Sequence, residues 1–245
     1  MSPLLAPDWE QERLMVIGAH AFDAEVMAGG VVAGCTANGG TATIVHMTLG
    51  ELGSSTLSPR EYGAQKRLEA TRAGILLTSQ VRFLDYRDAF IPDGDDTAIA
   101  VNELIREWRP TTVVTHWKGS PHKDHVRTHH AVVQGVFYAG LKHLDDMPPS
   151  HQVRTVLFAE NWEDAGGFEP DLFCDISSAH DVWMQALSCY EIGRERSPGF
   201  PYRDYYQCLT RLRGCLAGVE YAEAFMMPKP DVMRLLGLSG GLLIP

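Results

Sequence analysis

The most informative stretch for the fold is LMVIGAHAFDAEVMAGGVVAGCTANGGTATIVHMT at residues 14–48. Its first seven residues form a short apolar run that predicts a buried strand. The small and apolar residues from Asp23 onward predict a helix that ends at Gly39 and Gly40. A β-branched run at residues 41–48 predicts a second buried strand. Buried strands separated by helices are typical of a parallel sheet covered on both faces.

The same alternation continues to about residue 160. Further strands are predicted at 81–86, 111–117 and 153–160, and further helices at 59–77, 98–108, 126–141, 175–195 and 205–217. The pattern predicts a Rossmann-like, doubly wound α/β fold, with a mostly parallel sheet and helices on both faces. We expect one domain at residues 1–245, with a core at residues 13–160 and a helical and loop extension at residues 161–245.

The composition excludes several classes of protein. Hydrophobic residues make up 45% of the chain and charged residues 21%, which is typical of a globular protein. No apolar stretch reaches the roughly 18 to 20 residues that a membrane helix requires, so we expect no membrane partner. The 31 acidic and 21 basic residues give a formal net charge of −10, which repels the phosphate backbone and disfavours nucleic acid as a partner.

The cysteines and the N-terminus indicate the compartment. Five cysteines without CxxC spacing indicate neither a disulfide framework nor a thiolate metal site. The N-terminal residues lack the basic segment and apolar run of a secretory signal, so we expect a cytoplasmic protein. The apolar C-terminal end suggests a homo-oligomer.

Polar side chains follow the predicted strands at the edge where open α/β sheets bind small-molecule ligands. His20 and Asp23 follow the first strand, and His122, Asp124 and His125 follow a later one. Two imidazoles and a carboxylate from different strand ends can bind a divalent cation and leave positions open for water and substrate. A His/Asp set favours zinc, although Fe²⁺, Mn²⁺ and Co²⁺ fit the same atoms. Alternatively, the histidines are structural and Asp23 only caps its helix.

Five segments resemble, in order and spacing, the PIG-L/LmbE family of metal-dependent deacetylases. They are AHAFDAEVMAGG (19–30), TLGELG (48–53), RPTTVVTHWKGSPHKDH (109–125), FEPDLFCDIS (168–177) and VEYAEAF (219–225). The resemblance implies removal of an acetyl group from an N-acetylglucosamine unit of a glycolipid, a thiol cofactor precursor, an antibiotic or a chitin fragment.

The same resemblance implies roles for individual residues. His20, Asp23 and His125 would bind the metal, His122 would stabilise the tetrahedral oxyanion, and Asp124 would orient His122.

Three further residues match the family more loosely. Arg67 and Asp88 would lie near the bound sugar, and Glu51 would lie near the pocket.

The first motif departs from the family pattern Ala-His-Pro-Asp-Asp-Glu. Ala21 replaces the proline, Phe22 replaces the aspartate that serves as general base, and Ala24 replaces the glutamate. Loss of a general base costs about 10²–10⁴-fold in rate. A bound metal still lowers the pKa of its water to about 7.

This departure leaves three hypotheses. Another group, either Glu51 or the pair His122 and Asp124, accepts the proton. Alternatively, the site catalyses a lyase or isomerase reaction on a sugar-like compound, with Phe22 at the substrate. In the third, the protein binds a metal without turnover. Glu25 is a poor substitute, because two residues along a helix it points roughly 200° away from Asp23.

Overall fold

The computed structural model describes residues 4–5, 9–144, 147–194, 199–229 and 235–237. The strands are β1 (Leu4–Leu5), β2 (Arg13–Gly18), β3 (Thr41–Thr48), β4 (Gln80–Tyr86), β5 (Thr112–His116), β6 (Thr155–Ala159), β7 (Leu172–Asp175) and β8 (Ala222–Met226). The helices are α1 (Asp23–Ala37), α2 (Pro59–Leu76), α3 (Asp95–Trp108), α4 (Lys123–Gly140), α5 (His180–Leu187) and α6 (Tyr202–Ala217), with short 3-10 turns at Trp9–Gln11 and Glu191–Gly193.

Within the described residues, the strands form one sheet in the order β1-β7-β8-β6-β5-β2-β3-β4. The pairs are parallel except those of β8, which runs antiparallel to both β6 and β7. The chain passes from β2 outward to β3 and β4, and then returns to place β5 on the other side of β2. The carboxyl ends of β2 and β5 therefore form a topological switch point, where α/β sheets bind their ligands.

The sheet is covered on both faces, which confirms the predicted doubly wound α/β fold. Leu14 and Val16 of β2 point into a core shared with α1, α2 and α5, whereas Met15 and Ile17 point into a core shared with α3 and α4. This explains why β2 reads as a continuous apolar run. Among the helices that the structure describes, none combines the length and apolarity needed to cross a membrane.

The segment after residue 160 corrects one expectation. We expected only helices and loops at residues 161–245, but β7 and β8 in this segment complete the sheet. Their sequences, LFCD and AEAFM, form no clear run of β-branched apolar residues, unlike the equally short β5 and β6. The boundary at residue 160 stays a prediction.

Two further expectations concern the same segment. The helix predicted at 175–195 is confined to α5, and residue 195 lies outside the described residues. Most of the apolar C-terminal end, on which the homo-oligomer prediction depends, also lies outside them.

Two contacts fix α1, which carries Asp23, against the rest of the protein. The Nε1–H of Trp183 on α5 donates to the backbone oxygen of Glu25 at 2.7 Å. A Cβ at Gly29 would lie 2.6 Å from the Trp183 ring, so this close approach requires glycine. The buried Glu223 carboxylate of β8 also accepts the backbone N–H groups of Gly30 and Val31 at 2.9 and 2.8 Å.

We expect Glu223 to make stability depend on pH. Burial raises the pKa of Glu223 from its ordinary value of 4.5 to about 7, against the effect of the two N–H groups. The folded state then binds the Glu223 proton more tightly than the unfolded state does. The contribution of the protonated Glu223 to the unfolding free energy is therefore complete below pH 4.5 and is lost as pH rises to about 7. Relative to Glu223→Gln, which cannot ionise, the wild type should lose about 3 kcal/mol of unfolding free energy across this interval.

Urea denaturation of both proteins between about pH 5 and about pH 8 measures the difference. Glu220→Gln is the exposed control. Parallel stability curves for wild type and Glu223→Gln would contradict the prediction.

Candidate metal centre and catalytic cavity

The loop between β2 and α1 carries the first two candidate ligands. Asp23 Oδ2 accepts the backbone N–H of His20 at 2.8 Å and lies 3.0 Å from His20 Nδ1. The Asp23 carboxylate thus closes the turn and holds the imidazole beside it. The three-residue spacing noted in the sequence places both side chains at the end of β2.

The third candidate ligand, His125, lies in the first turn of α4, which follows β5. Its Nε2 atom is 3.4 Å from Asp23 Oδ2. His20, Asp23 and His125 each offer one ligand atom within 4.8 Å of the other two. Two nitrogens and one oxygen therefore converge from adjacent strand ends, and this donor set suits zinc or another divalent first-row metal.

Carboxylates occupy the outer sides of both imidazoles. His125 Nδ1–H donates to Asp164 Oδ1 at 2.7 Å. His20 Nε2 lies 3.3 Å from Asp88 Oδ1 and 3.6 Å from Asp124 Oδ2. Such carboxylates fix the orientation and tautomer of a metal-binding histidine and raise its basicity. The residues present therefore fit a metal ion, bound through the imidazole nitrogens that face Asp23.

His116, at the end of β5, belongs to the same network in a supporting role. Its Nδ1–H donates to Asp164 Oδ2 at 2.7 Å, and its Nε2 accepts the backbone N–H of Ala19 at 3.0 Å. Both ring nitrogens are thus occupied by the protein. Burial opposes the ionisation of Asp164, but His116 and His125 outweigh it and hold the pKa of Asp164 below its usual value.

The three candidate ligands stabilise one another's charged forms. Burial lowers the pKa of His125, but the carboxylates of Asp23 and Asp164 outweigh it and raise this pKa to about 9. The pKa of His20 is likewise raised well above its usual value, against burial, chiefly by Asp23. Burial opposes the ionisation of Asp23, yet His125 and His20 hold its pKa well below the usual range. Metal binding at such a site releases the imidazole protons, because the cation takes over their charge.

His122 precedes α4 and faces the same centre. Its ring centroid lies 4.7 Å from that of His20 and 4.8 Å from that of His125. Burial, with these two neighbours, lowers the pKa of His122. Asp124 contacts His122 through its backbone N–H, which donates to Nδ1 at 3.3 Å, whereas the buried Asp124 carboxylate faces His20.

The more loosely matched residues have different positions. Asp88 lines the cavity beside His20, while Glu51 supports it: the Asp88 N–H donates to Glu51 Oε1, and the Leu52 N–H donates to Asp88 Oδ2, both at 2.9 Å. Arg67 on α2 is half-buried, pairs with Asp85 and is not among the residues that line the cavity. Its guanidinium lies 4.2 Å from the ring centroid of Phe83 on β4.

A cavity of about 260 Å³ opens beside the candidate metal centre. Phe22 forms part of its wall and is buried, with its ring centroid 4.9 Å from that of Tyr190 and 5.4 Å from that of Tyr202. The backbone φ of Phe22 is +105°, a strained value for a residue with a side chain. An aromatic cluster of Phe22, Tyr190 and Tyr202 thus stands beside the candidate ligands.

Sequence reasoning missed a buried lysine in the same wall. Lys66 Nζ lies 5.1 Å from the ring centroids of both Tyr62 and Tyr190 and 3.4 Å from Glu69 Oε2. Burial lowers the pKa of Lys66, and Glu69 opposes this effect. The spacing of three residues between Lys66 and Glu69 on one helix was the available signal.

Sequence reasoning also missed the loop after β6. Asn161 and Glu163 line the cavity, and Asp164 supports His125 from the same loop. Burial raises the pKa of Glu163; His125 opposes this effect, and Asp23 adds to it. The rule that polar residues follow strands at the ligand-binding edge would have found these residues, because β6 is next to β5.

Comparisons with known proteins agree with this geometry. The PIG-L family profile, described as GlcNAc-PI de-N-acetylase, matches residues 15–136. The chain is 25% identical to the 4-oxalmesaconate hydratase of Pseudomonas putida, over 92% of this chain and 93% of the relative. It is 23% identical to the diacetylchitobiose deacetylase of Thermococcus kodakarensis, over 86% of this chain and 81% of the relative.

The fold is also similar to that of a solved structure. The crystal structure of GalB, the 4-carboxy-2-hydroxymuconate hydratase of Pseudomonas putida KT2440, superimposes with a TM-score of 0.81 at 22% identity. The superposition covers 90% of this chain and 97% of GalB. The matched segment at residues 15–136 contains the three convergent donors, and on these grounds the chain belongs to the PIG-L (GlcNAc-PI de-N-acetylase) family.

Proposed function

We propose that this protein is a zinc-dependent hydrolase that removes an acyl group, such as acetyl, from an N-acyl amino sugar or a related small glycoside. The observation that carries the proposal is the convergence of His20, Asp23 and His125 on one point beside a cavity of sugar size. Carboxylates on the outer sides of both imidazoles support metal binding. Zinc itself, a cytoplasmic location and a homo-oligomeric state remain predictions.

The residues around the cavity suit such a substrate. Trp162 and Tyr202 present flat apolar faces with polar edges, which can pack against a sugar ring. Asp88 can accept a hydrogen bond from a sugar hydroxyl, and His122 lies where it can donate one to the oxygen of the acyl carbonyl. A bound divalent metal would polarise that carbonyl and acidify the attacking water.

The charge of the cavity favours an amino sugar over a multiply charged anion. Asp23, Asp88 and Glu163 line the cavity. The described lining residues include one lysine, Lys66, and no arginine. Lys66 is already paired with Glu69. One metal ion offsets part of this negative charge, so the remaining acceptors suit hydroxyl groups and the amine that deacylation releases.

A lyase reaction is the second candidate. Phe22 removes the carboxylate on which hydrolysis in this family depends, and one full-length relative is named as a hydratase. A metal site shielded by Phe22, with His122 handling a proton, would suit addition or loss of water. Mass spectrometry of metabolites incubated with the protein distinguishes the two candidates, since a hydratase changes the mass by one water and retains all carbon atoms.

The first test is acyl release. The zinc-loaded protein should liberate acetate from at least one member of a panel of N-acetylated mono- and disaccharides. Dipicolinate should abolish this activity and added Zn²⁺ should restore it. His125→Ala, which removes one ligand, should neither retain metal nor turn over; stoichiometric zinc without acetate release would contradict the hydrolase proposal.

The second test concerns the hydrogen bond that His125 donates to Asp164. Asp164→Asn offers one carbonyl oxygen to two histidine N–H donors, so His125 should lose its fixed orientation. We expect a loss of about 10–100-fold in zinc affinity, the usual effect of removing such a partner. Competition with a chromophoric chelator measures it, with Asp171→Asn as a control away from the cavity. Equal zinc affinities for Asp164→Asn and the wild type would contradict this role.

The third test distinguishes an enzyme from a binding protein. If the native cavity already contains a proton acceptor, Phe22→Asp should not raise kcat by the about 10²–10⁴-fold that a missing base is worth. It should instead lower the unfolding free energy by about 3 kcal/mol, because a buried ring is lost. Kinetics and urea denaturation measure both effects. Activity that appears only in Phe22→Asp would show that the natural chain binds without turnover.

A further inference from the structure

The cavity still requires a group that accepts the proton of the attacking water. Phe22 offers none. Among the described residues, the carboxylates that line the cavity belong to Asp23, Asp88 and Glu163. Each can be judged by what its oxygens already contact.

Two of the three are committed to other contacts. Asp23 Oδ2 contacts His20 and also faces His125 Nε2, as expected of a ligand. Asp88 Oδ2 accepts the N–H of Leu52, and its Oδ1 lies 3.3 Å from His20 Nε2. Both carboxylates therefore already contact a candidate ligand, although Asp88 keeps lone pairs that can accept a sugar hydroxyl.

The carboxylates outside the cavity wall are also engaged. Glu51 Oε1 accepts the backbone N–H of Asp88 at 2.9 Å. Glu25 is fully buried, and its Oε1 accepts the hydroxyl group of Tyr190 at 2.7 Å. Asp124 is fully buried against His20. None of them reaches the cavity.

Glu163 differs from these carboxylates in the contacts of its oxygens and in its exposure to water. Its Oε2 lies 3.7 Å from Nε2 of His125, the nitrogen that faces the metal centre. Its side chain is 29% exposed, so water and substrate can reach it. Within the described part of the chain, its oxygens accept no hydrogen bond from another residue.

The backbone around Glu163 is fixed relative to the candidate ligands. The Glu163 N–H donates to Asn161 Oδ1 at 3.1 Å, and the Asp164 N–H donates to the Asn161 backbone oxygen at 2.9 Å. The next side chain, Asp164, binds both His116 and His125 at 2.7 Å. Asp164, which orients His125, thus also fixes the neighbouring Glu163 beside the candidate metal centre.

We infer that Glu163 is the catalytic carboxylate of this chain, moved from the β2–α1 loop to the loop after β6. The inference rests on the proposed hydrolase function. As the water oxygen bonds to the acyl carbon, one water proton passes to Glu163 Oε2. When the C–N bond breaks, that proton passes to the leaving nitrogen, so the carboxylate is regenerated. One amide and one water yield one carboxylic acid and one amine.

The test compares Glu163→Gln, which keeps the size of the side chain but cannot accept the proton, with the exposed control Glu169→Gln. Glu163→Gln should lower kcat for acyl release by about 10²–10⁴-fold while zinc affinity stays unchanged. Glu169→Gln should match the wild type in both. Full activity of Glu163→Gln would overturn the inference, and so would a parallel loss of zinc affinity, because Glu163 would then be a metal ligand.

A second measurement does not require the natural substrate. Acetohydroxamate gives up a proton on binding a metal, and Glu163 can accept that proton whereas an amide cannot. The cobalt-loaded wild type should therefore bind acetohydroxamate about tenfold or more tightly than the cobalt-loaded Glu163→Gln variant, as judged by cobalt absorption spectra. Equal binding would overturn the inference. Weaker binding by the variant, with no acyl release by the wild type from any N-acyl sugar, would support the role of Glu163 and reject the proposed hydrolase function.

Discussion

The Asp23 carboxylate connects two strand ends that are far apart in the sequence. It accepts the N–H of His20 after β2 and faces Nε2 of His125 after β5. This contact is possible because β2 and β5 are parallel neighbours whose carboxyl ends open at the same edge of the sheet. The anchoring of α1 by Trp183 and Glu223 keeps Asp23 at that edge. The candidate metal centre and the cavity beside it both depend on this arrangement.

Phe22 lines the cavity beside the candidate ligands, which still converge. Its ring packs with the buried Tyr190 and the partly buried Tyr202, close to the Lys66 and Glu69 pair. A carboxylate in place of the Phe22 ring could not pack against these aromatic rings, and burying its charge would cost free energy. The loop after β6 places another carboxylate at the same centre, since Glu163 Oε2 lies 3.7 Å from His125 Nε2 and its side chain remains accessible to water. On our inference, the candidate metal centre is kept while the proton acceptor lies on another loop.

Long apolar patterns in the sequence were read correctly. The strands and helices from β2 to β6 were predicted to within a few residues, because their apolar residues pack into the cores on the two faces of the sheet. β1, β7 and β8 were missed because their sequences, LL, LFCD and AEAFM, form no clear run of β-branched apolar residues. Arg67 matched the family only loosely, and the structure places it against Phe83 and Asp85.

The sequence by itself determined the α/β fold, since apolar periodicity is a local property of the chain, and its resemblance to a known family singled out His20, Asp23 and His125 as candidate donors. The tertiary structure decided which polar groups surround those donors. Asp164 and Glu163 approach His125 only because β6 lies beside β5, and Lys66 faces Phe22 only because α2 packs against the same face of the sheet as α1. Hydrogen bonds and charge pairs act over a few ångströms in space, and distance along the chain does not predict them.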